Sequence, residues 1–401
     1  MGTGLILFTN NSSSVGIFSM LRPFKRITLI SILLLTACSG SIRITNISSV
    51  NNESDWKQLG GSPTHSKNAI NEIAPPLKML WKSDISHSPL GILTASDGTI
   101  FVSTMGGRIY ALDHETGVSM GSLDLEKSIG KGMAIDGIHG YFGRISNGKT
   151  LFSYELRNGI YVWKRNIGPV ESIPLISGGL LYVTTKTGYV YCLDMETGAE
   201  KWKFDSGKPF HSSPAGWNGL IIATNDSGYV YGISASNGKM KWKLQTGAPI
   251  FATPIISGDD IFVGNISGTF YSIDAESGTT NWKHEGTGSY YSTASAGDDN
   301  VYIMGADGMM LSLSKPDGSV IWKSDLNAPI SEGILLSGKY IYIGSMDKNL
   351  YAVSAETGVI LWSEKLEGRV RTSPLEYKGS LYVGTENKYL YAFGMDSDTY
   401  E

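Results

Sequence analysis

Apolar and polar positions alternate with a period of two through most of this chain. In SGGLLYVTTKTGYVYCLD, residues 177–194, the runs Leu181-Tyr182-Val183 and Tyr189-Val190-Tyr191-Cys192-Leu193 are short, rich in β-branched and aromatic side chains, and bracketed by glycines. Such runs predict strands of about five residues joined by tight turns. Each copy of the pattern holds four: an inner one around Ser212-Ser213-Pro214-Ala215, a second at Leu220-Ile221-Ile222-Ala223, a third at Tyr229-Val230-Tyr231-Gly232-Ile233, and an outer one carrying a tryptophan. No strong helical periodicity competes between residues 60 and 394.

The outer strands set a beat. Trp163, Trp202, Trp242, Trp282, Trp322 and Trp362 stand 39 or 40 residues apart, with Trp81 about two steps upstream. Four antiparallel strands per period near 40 make the blade of a β-propeller. Aligning the third strand and its turn, from Leu112-Asp113 to Phe393-Gly394, gives eight copies. The last copy stops after its third strand, and a spare tryptophan strand, Leu77 to Lys82, precedes the first. Pairing the two closes the ring without open edges at the seam. The expected fold is therefore all-β: an eight-bladed propeller of four-stranded antiparallel blades over residues 56–394, closed by an N-terminal strand, with a tail at 395–401. The seven tryptophans are expected to dock on neighbouring blades, each burying on the order of 200 Å². Ala111, Cys192, Gly232, Ser272, Ser312, Ala352 and Ala392 fill one common slot that asks for a small side chain.

The N-terminus reads differently. From Met20 the chain carries Arg22, Lys25 and Arg26, an apolar run from Ile27 to Leu35, and then Thr36, Ala37 and Cys38. That order is a secretory signal peptide, residues 1–37 with Met20 as the start, and the run is too short to span a bilayer. Leu35-Thr36-Ala37-Cys38 resembles a bacterial lipobox, which implies cleavage between Ala37 and Cys38 and acylation of the Cys38 thiol. Membrane lipid is then a partner, and Ser39 points to the periplasmic face of the outer membrane. Residues 38–55, rich in Ser, Asn and Thr, read as a flexible tether. Removing residues 1–37 takes three cations and no acid from a formal charge of −4, leaving −7. A mildly acidic surface argues against nucleic acid as a partner. With Cys38 committed to lipid, Cys192 stands alone and no intramolecular disulfide forms.

The phrases YCLDMETGAEKW, ending at Trp202, and YAVSAETGVILW, ending at Trp362, resemble the tryptophan-docking repeat of pyrroloquinoline quinone (PQQ) propellers. Asp55-Trp56 followed by Gly60-Gly61-Ser62-Pro63-Thr64-His65 is similar to the opening segment of those proteins. The resemblance implies the propeller fold over nearly the whole mature chain. For function it implies alternatives, because the family holds PQQ-dependent dehydrogenases with bound Ca²⁺ and also cofactor-free scaffolds, among them a lipoprotein of outer-membrane β-barrel assembly. The dehydrogenases carry a vicinal disulfide, which one free cysteine excludes, and long insertions, which these tight repeats lack. No haem, zincin, phosphate-loop or serine-elbow motif is present. The expectation is a non-catalytic scaffold with no cofactor, no catalytic residue and no metal ligand, monomeric within a complex and bound to a barrel-assembly subunit. PQQ with Ca²⁺ is the alternative, and a polysaccharide binder using Tyr290, Tyr291 or Trp217 as exposed platforms is the third reading.

One sector departs from the repeat. Leu123 stands where a tryptophan is expected, and the next turn has decayed to Glu155-Leu156-Arg157-Asn158-Gly159. Lys127, Lys131, Arg144, Lys149, Arg157, Lys164 and Arg165 face only Asp136 and Glu155 between residues 127 and 165. That local excess of positive charge is the candidate partner surface.

Overall fold

The alternating segments fold into thirty-two strands, which hydrogen bonding sorts into eight four-stranded sheets. The structure is a computed structural model that describes residues 41–45, 47–48, 55–66, 68–126, 128–146 and 148–396. Blade three is representative: Leu175–Ser177, Leu180–Thr184, Tyr189–Asp194 and Glu200–Asp205 pair antiparallel in chain order. Blades one to seven occupy 94–124, 129–165, 175–205, 215–245, 255–285, 295–325 and 330–365. Blade eight takes its outer strand, Leu77–Asp84, from upstream, pairing Leu77 with Met395 and Asp84 with Tyr389. The ring is thus closed by an N-terminal strand, as the spare tryptophan segment predicts.

The repeated phrase builds the joint between blades. In the turn of blade three, Asp194 Oδ1 accepts from the backbone N–H and the hydroxyl of Thr197 at 3.0 and 2.9 Å. These bonds, backbone donor first, hold the Asp194 carboxyl down at about 2. Gly198 takes φ +66°, a conformation that other residues avoid, and presents a bare backbone to the indole of Trp163. Trp163 Nε1–H donates to the Met195 carbonyl at 2.9 Å. The same geometry recurs around the ring, with Trp202 on Gly238 and Ala235 O, Trp282 on Gly318 and Lys315 O, and Trp81 on Gly117 and His114 O. Trp242 and Trp322 repeat it on Ala275 O and Ala355 O. The small-residue slot lies across the ladder from each indole, as Cys192 does from Trp202 and Ser272 from Trp282. Trp362 is the exception, because the two outermost strands of blade eight are not joined by a turn. It packs edge-on against Phe393 instead, with ring centroids 6.2 Å apart.

Register also corrects the expected position of the missing tryptophan. Ala111, the small residue of blade one, pairs with Gly121, so Gly121 and not Leu123 occupies the tryptophan slot. Leu123 is a buried core residue of the same strand. The expected tether is corrected as well, for in its described part it is docked. Ile42, Ile44 and Ile47 are almost wholly buried, in one cluster with Phe101, Leu123, Phe142 and Tyr154. The signal peptide, its cleavage point at Ala37 and Cys38, and Lys127 lie outside the described residues.

Candidate protein-binding surfaces

Each innermost strand has one edge without a strand partner, facing the propeller axis. Residues 56–70 run along these edges and meet the blades in order. The carbonyls of Trp56 and Lys57 accept from Ala95 and Ile135 N–H at 2.9 and 2.8 Å, and Gln58 Oε1 accepts from Ile176 N–H at 3.0 Å. Pro63 and Thr64 carbonyls take Gly216 and Ile256 N–H, Ser66 O takes Ala296 N–H, Ala69 N–H reaches Leu336 O, and Ile70 N–H reaches Glu376 Oε2. Eight blades thus each make at least one bond to the opening segment, which satisfies otherwise orphaned edges and stops that end of the axis. Leu59, 2% exposed, packs against Ile92, Ala134 and Ile173.

The other end of the axis is a mouth built from one repeated position. Lys131, Glu171, His211, Phe251, Tyr291 and Arg371 follow one another at intervals of 40 or twice 40 residues, each at the start of an inner strand or just ahead of it. His211 Nδ1 lies 3.1 Å from Glu171 and its Nε2 3.1 Å from Asp226. Lys186 adds an ion pair to Glu171 at 2.9 Å. Burial alone would raise Glu171, but the bonds from His211 and Lys186 hold it down at about 2. Burial raises Asp226. Beside this charged half stands an aromatic half: the Phe251 and Tyr291 rings stack 6.2 Å apart and nearly parallel, and His211 meets Phe251 edge-on. Tyr291 is 51% exposed.

The basic residues of blade two do not form one patch. Lys131 lies at the mouth, 4.0 Å from Glu332. Arg144 reaches the Leu125 carbonyl and covers Phe152. Arg157 sits at the opposite end of the blade, with its guanidinium on the Ile47 carbonyl at 2.9 Å. Arg165 crosses to blade three and donates to Gly198 O and Thr197 O. Lys164 lies 3.5 Å over the Tyr161 ring, and Lys149 is exposed in a hairpin turn. Antiparallel strands send neighbours in sequence to opposite ends of a blade, which disperses the charge.

Of the residues suggested as sugar platforms, Tyr290 is buried at 3% exposure and is no platform. Trp217 is half-buried, donates its indole N–H to Gly258 O at 3.0 Å, and borders a groove of about 380 Å³ with Asn218, Leu220, Lys241 and Glu276. Cys192 is buried opposite Trp202, and burial pushes its thiol up to about 11.

A quinone with Ca²⁺ does not fit this axis. Between the mouth and Leu59, the cavity lined by Ile92, Ile173, Ser213, Thr253 and Thr293 holds about 10 Å³, space for no more than one water. Among the described residues no three His, Cys, Asp or Glu side chains are grouped to hold a metal ion, and the Glu171 carboxylate is already engaged.

Eight sheets, tryptophan joints and a stopped axis define a propeller of the PQQ-like class. A family model described as outer membrane protein assembly factor BamB matches residues 147–250, 244–311 and 306–399, more than half of the chain. The chain belongs to that family. A curated relative, outer membrane protein assembly factor BamB of Burkholderia pseudomallei (strain K96243), is 24% identical over 144 residues, 34% of this chain. The match spans about a third of the relative's length, 36%. The crystal structure of BamB from Moraxella catarrhalis superposes with a TM-score of 0.69 at 18% identity, covering 80% of this chain and all of that one. A quinohemoprotein alcohol dehydrogenase from Pseudomonas putida HK5 gives 0.76 at 14% identity, covering 87% and 83%. At these identities both structures speak for the fold alone.

Proposed function

We propose that the protein is a non-catalytic, lipid-anchored scaffold on the periplasmic face of the outer membrane, acting in the assembly of β-barrel proteins there. The observation that carries this reading is the filled axis. A quinoprotein needs a chamber for its cofactor, whereas here the opening segment and Leu59 leave about 10 Å³. Family membership and the lipobox at Cys38 support the placement. No helix among the described residues is long and apolar enough to cross a membrane.

In this reading the mouth receives the protein partner. Stacked aromatic rings bordered by fixed charges are the composition of interface hot spots, where rigid apolar area and orientation come together. Phe251 and Tyr291 supply the anchor, and the Lys186–Glu171–His211–Asp226 chain fixes its orientation. Affinity purification from solubilised outer membranes should recover the barrel-inserting subunit, and Tyr291→Ala should cut that recovery without lowering the melting temperature. Recovery that ignores Tyr291 removes the mouth from the reading, and recovery of unrelated proteins only removes the assembly role. Adding PQQ and Ca²⁺ should leave the absorbance unchanged. The groove beside Trp217 favours a second reading, a polysaccharide site, which requires Trp217→Ala to abolish glycan binding in a folded protein.

A further inference from the structure

The vacated joint between blades one and two is filled by the chain's own N-terminal segment, and the filling copies a tryptophan joint atom for atom in its polar part. In the other joints, that of Trp362 excepted, an indole N–H donates to the carbonyl of the first turn residue, such as Met195 or Ala235. The equivalent carbonyl in blade two belongs to Leu156, and it accepts from the backbone N–H of Ile44 at 2.9 Å. The flat glycine face that an indole would cover is Gly159, and a Cβ added there would meet Arg43 Cγ at 2.7 Å and Ile42 O at 3.0 Å. Ile42 forms a β-bridge to Gly121, the residue in the tryptophan slot. Gly121 takes φ +150° with Ser41 O 3.0 Å from its would-be Cβ, so a tryptophan is excluded by both backbone and space. Tyr154 OH holds Ile42 N and O, both at 3.2 Å, and Arg157 and Asp97 bind Ile47 O and Ser48 N.

This docking sets where the acyl chains leave the protein. If Cys38 is acylated, as the proposed function has it, two residues separate the lipid-bearing cysteine from the docked Ser41. Three steps of extended chain span about 10 Å at most. The outer rim of blades one and two is then held within that reach of the bilayer. The rim suits such a neighbour. Met120 adjoins Gly121 and Ile160 adjoins Gly159, the two glycines that the segment covers, and with Val118 and Val162 they are 40 to 64% exposed. Arg43 is exposed beside them, and Lys164 continues the face of Ile160 and Val162. On blades three to five the matching outer-strand positions are Ala199 and Lys201, Lys239 and Lys241, and Thr279 and Asn281, whereas blades six and seven present Ile321, Val359 and Leu361, 49 to 57% exposed.

We propose that the rim formed by Val118, Met120, Ile160 and Val162 is a membrane-contacting surface, seated among phospholipid headgroups by the docked segment 41–47, so that the propeller stands in one orientation on the bilayer. Exposed apolar side chains flanked by cations are the composition that enters the headgroup layer, and the segment makes the anchor a bracket.

The test uses the full-length acylated protein in phosphatidylethanolamine–phosphatidylglycerol vesicles, with an environment-sensitive fluorophore on Met120→Cys or, as the control, Met240→Cys. Cys192 is buried and does not compete for label. Flotation with vesicles reports the anchor, and quenching by lipids brominated near the headgroup reports the orientation. The expected result is flotation of both proteins with quenching at position 120 and none at 240. Flotation with equal quenching at both positions overturns the orientation while leaving the anchor. No flotation removes the anchor and the orientation with it. In an Ile42→Asp/Ile44→Asp background, flotation should persist and quenching at 120 should fall to the level at 240. Tyr154→Phe, a gentler change, should reduce it part way. Quenching that survives both variants shows that the segment does not set the orientation.

Discussion

Two joints in the same ring solve one packing problem differently. Between blades three and four, Trp202 from the outer strand covers Gly238 and donates to Ala235 O, all within about 40 residues of chain. Between blades one and two, Ile42 to Ile44 come from more than 70 residues upstream to cover Gly159 and donate to Leu156 O. The carbonyl and the glycine keep their places, and only the group filling the space changes. A joint of this kind therefore takes a flat apolar filler and one N–H, and a peptide segment serves as well as an indole. The difference lies in separability. A tryptophan joint opens only if a blade moves, whereas the borrowed joint opens by release of the segment that carries Ile42 and Ile44.

The largest expected effect deepens the tryptophan side of that comparison. Trp282→Ala empties a site where the indole is 8% exposed and gives up its bond to Lys315 O at 2.7 Å. Loss of a large buried aromatic should cost about 3–5 kcal/mol, read as a lower urea midpoint for the whole propeller. A midpoint unchanged within error would deny these joints their structural role. Ile44→Asp attacks the borrowed joint with a buried unpaired carboxylate, at about 3 kcal/mol. Here the loss should be local: hydrogen exchange should quicken around Ile44 and Leu156 while blades three to seven keep their protection. A uniform loss across all blades would erase the distinction between the joints.

Acid distinguishes the neutral joints from the ionic link at the mouth, where Glu171 meets His211 of blade four. Glu171 is depressed to about 2 in the folded protein, so its contribution is present above its ordinary value near 4.5 and fades as pH falls towards 2. Glu171→Gln should cost of the order of 2 kcal/mol at neutral pH, after allowance for partial solvent screening. The deficit should shrink through that acid window. A deficit that persists unchanged at pH 2 would mean the carboxylate charge is not what matters there.

Period and strand alternation made the ring, its eight copies and its closure legible in sequence, because each repeat states the same local chemistry. Tertiary substitutions were not legible. The spacing of tryptophans points to Leu123, but the turn joining the second and third strands of blade two is two residues longer than its counterpart in blade three, which places the true slot at Gly121. Ile42, Ile44 and Ile47 showed in a polar stretch as isolated apolar residues, since their partners belong to two different blades. The mouth was hidden because its members, Lys131 through Arg371, share a position in the repeat and not a residue type. Tyr290 and Tyr291 look alike in sequence, yet one is buried and the other exposed. The basic run of blade two looked like a surface because strand reversal is not visible in a charge count.

The smallest perturbation isolates the polar half of the borrowed joint. Tyr154 is fully buried and its hydroxyl is shared between the N–H and the carbonyl of Ile42. Tyr154→Phe leaves the ring in place beside Tyr161 and removes only that hydroxyl. The Ile42 groups then lose a partner in a site closed to water, at about 1 kcal/mol. Global stability should scarcely change, and cleavage by a protease within residues 38–48 should accelerate several-fold, since opening of the segment precedes cutting. The corresponding tryptophan joints offer no such intermediate state, so cleavage within blades three to seven should stay at the wild-type rate. If Tyr154→Phe leaves cleavage of the segment unchanged, the apolar burial of Ile42, Ile44 and Ile47 holds the joint by itself, and the resemblance to an indole's bond is geometric only.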